Sequence, residues 1–192
     1  IVTQALCPVC AVSYDDVTAI AGRLDPQPQV ISLDPKTLGE TMGDIRTVAQ
    51  ATKSRDAALE LVARQRSRID AVKIAVRKER RPDVVAIEWF DPVFIAGHWT
   101  PQLIELAGGT DVLGFAGERS EQMSWDAVRA AKPEVVLCIP CGYDAAGALD
   151  QARLFEDELR STGARRIVAL DASAYFSRPG PRLVDGLETL AH

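Results

Sequence analysis

Two Cys-x-x-Cys pairs, Cys7 with Cys10 and Cys138 with Cys141, are the residues whose spacing most directly suggests chemistry. Such a pair can chelate a metal, cycle as a redox dithiol, close as a disulfide, or sit as small buried side chains at a strand end. All four thiolates together would make a zinc or iron–sulfur site. The pairs lie far apart in the chain, however, unlike the compact spacing of a zinc ribbon. A shared metal would have to bridge two halves of the molecule, so the pairs are not expected to share one. His98 is the only histidine besides the terminal His192. Beside Trp99 it could be an axial ligand to a metal carried in a bound chelate, or a loop residue bonded to backbone. No Ser–His–Asp or Cys–His arrangement stands out, and there is no Walker loop or Gly-x-Gly-x-x-Gly stretch. No catalytic residue is assigned, and the chain is read as a binding protein and not as an enzyme.

Aromatic residues gather in stretches that read as loops. Trp89, Phe90, Phe94 and Trp99 fall within residues 88–99, Tyr143 within 138–144, and Tyr175 and Phe176 within 171–178, close to Arg178. Aromatic rings in loops suit a large flat ligand, which they cover by stacking and apolar area. The alternative is that several pack as lid residues on their own half of the protein. Asp91-Pro92 reads first as a turn or cap and second as a ligand contact.

These loops need elements to hold them. Short apolar runs at 1–4, 29–33, 84–87, 135–137 and 166–170 alternate with helical patterns, which is the mark of a parallel sheet covered on both faces. In open sheets of this kind ligands bind at the carboxyl ends of the strands, where the aromatic loops leave. Asp34 and Pro35 are expected to cap and open the second helix. Helices are predicted at about 12–23, 101–107, 124–131 and 145–161, with a last one from Arg182. From Ser54 to Arg80 apolar residues recur at helical spacing among Arg, Lys and Glu, until Pro82 stops the pattern. A helix of that length would reach about 39 Å at about 1.5 Å per residue, long enough to act as a strut between two α/β halves. The halves also echo each other: each runs strand, Cys-x-x-Cys, Tyr-Asp, helix.

The chain has 192 residues and a net charge of −5. That length suffices for one large or two small domains, and the acidic balance argues against a nucleic-acid partner. No apolar run approaches the roughly 20 residues that span a membrane. Ile1-Val2-Thr3 reads as mid-strand without an initiator Met, so the sequence is expected to be part of a longer chain.

Cys7-Pro8-Val9-Cys10, Glu88-Trp89-Phe90-Asp91-Pro92, Ala96-Gly97-His98-Trp99, a helix ending at Gly108-Gly109, Ser124-Trp125, Lys132-Pro133-Glu134-Val135-Val136 and Tyr175 to Arg182 follow in order. The sequence resembles the class III, helical-backbone substrate-binding proteins of ABC importers, and most nearly their cobalamin-binding branch. The resemblance implies an α/β fold of two Rossmann-like lobes with parallel sheets joined by one long helix, the N-terminal lobe truncated. Residues 1–53 would close that lobe, 54–80 would form the backbone helix and 81–192 the C-terminal lobe. It implies a solute-binding component that holds cobalamin or a related corrinoid in the inter-lobe cleft as cargo, with no intrinsic cofactor. Trp89, Phe90, Asp91, His98, Trp99, Tyr143, Tyr175, Phe176 and Arg178 are the expected ligand contacts. The implied partner is an ABC permease in the membrane, and the setting is extracytoplasmic, periplasmic or lipid-anchored at the cell surface. The alternatives are an iron-siderophore or haem binder of the same class, a redox or metal-cluster protein using Cys7, Cys10, Cys138 and Cys141, and a cytoplasmic corrinoid carrier without a permease.

Overall fold

The computed structural model describes residues 1–5 and 12–192; Cys7 and Cys10 lie outside the described residues. The first strand, β1 (Val2–Thr3), pairs in parallel with β2 (Ile31–Ser32) as a two-stranded sheet. Between them runs α1 (Tyr14–Ala21), whose N-cap Ser13 accepts from the Asp16 N–H. Asp15 and Asp16 add negative charge at the positive end of the helix dipole.

Asp34 is not the cap of the next helix, α2 (Leu38–Thr52). Thr37 is, through a capping box: its hydroxyl accepts from the Glu40 N–H at 3.2 Å, and the Glu40 carboxylate accepts from the Thr37 N–H at 3.1 Å. Thr-x-x-Glu satisfies two orphan donors at once. The Asp34 oxygens instead tie the ends of the small sheet together, accepting from the Ala5 N–H and the Ser32 hydroxyl. Helix α2 stops at Lys53, in the left-handed region with φ 56°.

Helix α3 (Arg55–Val76) is continuous over 22 residues, about 33 Å at about 1.5 Å per residue. It ends four residues before the predicted Arg80. Residues 77–80 are charged and exposed, so no apolar packing extends the helix past Val76. Along α3, Ala58, Val62, Gln65 and Val72 are buried, and Arg68 pairs with Asp185 and Glu188 on the last helix.

Beyond α3 come β3 (Asp83–Phe90), β4 (Val93–Ile95), α4 (Thr100–Leu106), β5 (Thr110–Asp111), β6 (Glu121–Gln122), α5 (Trp125–Ala131), β7 (Val135–Cys138), α6 (Ala145–Leu154), α7 (Glu156–Ser161), β8 (Arg166–Ala169), α8 (Ala172–Tyr175) and α9 (Leu183–Leu190). They build a six-stranded sheet in the order β6-β4-β3-β7-β8, with β5 also paired to β3. Strands β5, β7 and β8 lie parallel in the β3 direction, while β4 is antiparallel to β3 and β6 to β4. The predicted loop at 88–99 is therefore largely a hairpin, with the cis Asp91-Pro92 bond at its turn. The predicted helix at 145–161 breaks at Phe155, whose φ of −115° lies outside the helical range. That break lets its ring stack on Phe90 at 5.2 Å and meet Trp125 at 6.3 Å.

Apolar side chains fill both faces of the larger sheet. Val84, Ala86, Leu137 and Ile139 pack under α4 and α9, with Leu103, Leu183, Val184 and Leu187. Val85, Ile87, Val136 and Cys138 pack on the other face against Val128, Ala152 and Leu159. Each fully buried aliphatic side chain contributes about 1.5–3 kcal/mol. Leu38 and Met42 of α2 enter the first cluster, and the Leu38 N–H donates to Gln102 Oε1 at 2.8 Å. Helix α2 thus joins the core under the larger sheet.

Candidate ligand-binding site

The carboxyl ends of β3, β7 and β8 meet at one end of the larger sheet. In β3 the register jumps: Ile87 pairs with Ile95, but Trp89 pairs with Phe94. Glu88 is the extra residue of a bulge, a feature that re-aims neighbouring side chains. Trp89 is 41% exposed there, and its Nε1–H donates to the Asp91 carbonyl at 3.1 Å. After β7, the Cys141 N–H donates to the Glu88 carbonyl at 3.0 Å. Gly142, with φ 84°, takes a conformation that a side chain would oppose, and its N–H donates to Ser177 Oγ at 3.0 Å. That turn brings Tyr143 to 6.2 Å from Trp89, ring to ring, with the planes inclined at 54°.

The loop after β8 locks onto the same turn. Asp171 caps α8 by accepting from the Ala174 N–H at 2.7 Å, and the Ser173 N–H donates to the Tyr143 carbonyl at 2.9 Å. Arg178 is exposed and donates to Ser173 Oγ at 3.3 Å. The three loops therefore present Trp89, Tyr143 and Arg178 on one surface, with Asp91 and Cys141 exposed nearby in the chain and Tyr175 half-buried.

The other expected contacts are placed differently. Phe90 is buried against Phe155. Trp99 is buried, and its Nε1–H donates to the Phe176 carbonyl at 2.7 Å; Phe176 is itself buried. These rings lie under the surface because the hairpin and α8 fold them into the two cores. His98 is carried away from Trp89, since β4 runs back along β3 until the Ala96 N–H meets the Ala86 carbonyl. It has φ 54°, donates its N–H to the Glu118 carbonyl at 2.6 Å, and leaves Nε2 buried without a hydrogen-bond partner. Burial, then the charges of Arg119 and Lys36, hold its pKa below the ordinary histidine value.

Cys138 and Cys141 are free thiols. Burial pushes the Cys138 thiol up to about 12, so it stays protonated and is a poor metal ligand. Among the described residues no group of three or more His, Cys, Asp or Glu could hold a metal ion. Sequence reasoning passed over Glu88, whose pKa is raised, chiefly by burial. The available signal was an acidic residue set between Ile87 and Trp89 in an otherwise apolar run. Elsewhere a groove of about 370 Å³ lies between α2, α3 and residues 179–181, with Asp44 among its lining residues.

A sequence profile for the family described as "Periplasmic binding protein" matches residues 9–169. The chain belongs to that family. No curated protein matches it. Among solved structures, a substrate-binding protein of an ABC transporter from Listeria monocytogenes superposes with a TM-score of 0.76 at 18% identity, over 93% of this chain and 73% of that one. The periplasmic heme-binding protein RhuT from Roseiflexus gives 0.73 at 24% identity, over 99% and 73%. The vitamin B12 binding protein BtuF of Vibrio cholerae gives 0.67 at 18%, over 90% and 67%. The fold is that of the helical-backbone binding proteins: two lobes, mixed and parallel sheets, and long connecting helices. Proteins of this periplasmic binding family bind solutes and do not catalyse reactions.

Proposed function

We propose that this binding protein works outside the cytoplasm, captures a large flat metal tetrapyrrole, and presents it to an ABC permease. The observation that carries this reading is the exposed Trp89 ring beside the half-buried Tyr143 ring, held at the sheet end by backbone bonds between three loops. Two inclined rings offer apolar area and stacking at low entropy cost. Arg178 at the rim suits a carboxylate substituent. Haem comes first, because it is flat and carries carboxylates, and because Roseiflexus RhuT shares the fold and is a heme-binding protein. A corrinoid is the second reading, favoured by the Trp89-Phe90-Asp91-Pro92 motif and by the B12-binding BtuF. The test is a titration with haemin, cyanocobalamin and a ferric hydroxamate, followed by tryptophan emission and visible absorbance. Saturable binding of haemin at micromolar concentration is expected. Binding of the hydroxamate alone, or of none of the three, would defeat the tetrapyrrole reading.

A further inference from the structure

We propose that Gly147 is a positioning residue of the ligand platform: the space left by its missing side chain houses the Tyr143 ring and so sets that ring beside Trp89. The inference deepens the ligand reading above and rests on it for the role of the two rings.

Gly147 is the single glycine in an Ala-Ala-Gly-Ala run that opens α6. Glycine is disfavoured inside a helix, because it gives up more backbone freedom than alanine on folding and packs nothing. No left-handed backbone requires it here, since its φ is not positive. Its N–H donates to Asp144 Oδ1 at 2.8 Å, a bond that alanine would make equally well. Neither the backbone nor the cap explains the glycine.

Space explains it. A Cβ at Gly147 would lie 2.7 Å from Tyr143 Cδ1 and 3.5 Å from Tyr143 Cβ. Carbon atoms in contact sit about 3.5–4.0 Å apart, so the ring edge already occupies the place of a side chain. The main chain of Tyr143 has little room to yield. Its N–H donates to the Pro140 carbonyl at 3.1 Å, and its carbonyl accepts from the Ser173 N–H at 2.9 Å. The preceding Gly142 is held by Ser177 Oγ. Only the side-chain torsions of Tyr143 are left to move. Cδ1 lies next to the ring's point of attachment, so clearing a shortfall of about 0.8 Å or more swings the whole ring. That swing alters the 6.2 Å, 54° relation to Trp89. Asp144 Oδ1 would lie 3.3 Å from the same Cβ, and a shift of its carboxylate by a few tenths of an ångström relieves that contact.

An added methyl that ordinarily favours a helix should therefore disturb the platform. The test is Gly147→Ala, made in wild type and again in Tyr143→Ala, where the ring is gone. Without ligand, the Tyr143 ring protons of wild type should show a strong nuclear Overhauser effect to the Gly147 α protons. In Gly147→Ala the Tyr143 ring and Trp89 indole resonances should shift together. Haemin affinity should fall about two- to tenfold, the share of one oriented ring contact. In the Tyr143→Ala background the same substitution should leave affinity unchanged. Its effect on the urea midpoint should also be more favourable there than in wild type, because the crowding of Asp144 is common to both and cancels in the comparison. Unshifted ring resonances in Gly147→Ala, or an equal loss of haemin affinity in both backgrounds, would overturn the proposal and leave haemin binding standing. The expected resonance shifts in a protein that binds no haemin would uphold the positioning of Tyr143 and sink the ligand reading.

Discussion

Trp99→Phe separates a ring that builds the site from one that meets ligand. Trp99 is 5% exposed, and its Nε1–H donates to the Phe176 carbonyl inside the core. Phenylalanine retains most of the apolar contact but gives up part of the indole. If about 50 Å² of contact is lost, the cost is about 1 kcal/mol at about 25 cal/mol per Å². The Phe176 carbonyl also loses its donor, and a buried unpaired polar group costs about 1–3 kcal/mol. Together the loss is about 2–4 kcal/mol. At roughly 2–4 °C per kcal/mol for a chain of this size, the thermal midpoint should drop by about 4–16 °C. Urea titration gives the stability, and haemin titration well below the new midpoint gives the affinity. The expected result is a destabilised protein whose folded fraction binds normally. Unchanged stability with lost affinity would refute the reasoning and return Trp99 to the ligand surface.

Thr37→Ala removes the hydroxyl of the α2 capping box and should cost about 1 kcal/mol, read as a lower urea midpoint at unchanged slope. In native protein, iodoacetamide should label the exposed Cys141 and spare Cys138, whose buried thiol stays protonated; mass spectrometry of the peptides decides this. The Arg68 hydrogen bonds hold the Glu188 carboxyl below the usual glutamate range. Their stabilisation is therefore present above that range and fades as pH falls through the depressed value, by about 1 kcal/mol after solvent screening. Comparing acid unfolding of wild type with Arg68→Met should show that part of the pH dependence disappear.

Much of the fold was legible because its signals are local. Alternating solid apolar runs and helical spacing mark β3, β7, β8 and α3, and α5 and α6 begin at Trp125 and Ala145, within a residue of the expected starts. The misses share a cause. Strand β4 buries only Val93 and Ile95 between turn residues, too short a pattern to show period two. Once that hairpin is missed, Phe90, Trp99 and Phe176 look like loop aromatics, although tertiary packing folds them inward. Thr37 outcompeted Asp34 because Glu40 completes its box, while Asp34 has work between the two short strands. The site was legible as a cluster of rings. Which rings face out depended on the Glu88 bulge, and a register shift leaves no trace in composition or periodicity.

The central claim is that Trp89 and Tyr143 form the ligand platform. The most direct measurement is the haemin dissociation constant of wild type against Trp89→Ala, with urea unfolding of both as the control for folding. Trp89 is exposed, so its removal should leave stability nearly unchanged. Loss of its stacking and apolar contact, about 1.4 kcal/mol or more, should weaken binding about tenfold or more. Equal dissociation constants in two equally stable proteins would contradict the claim.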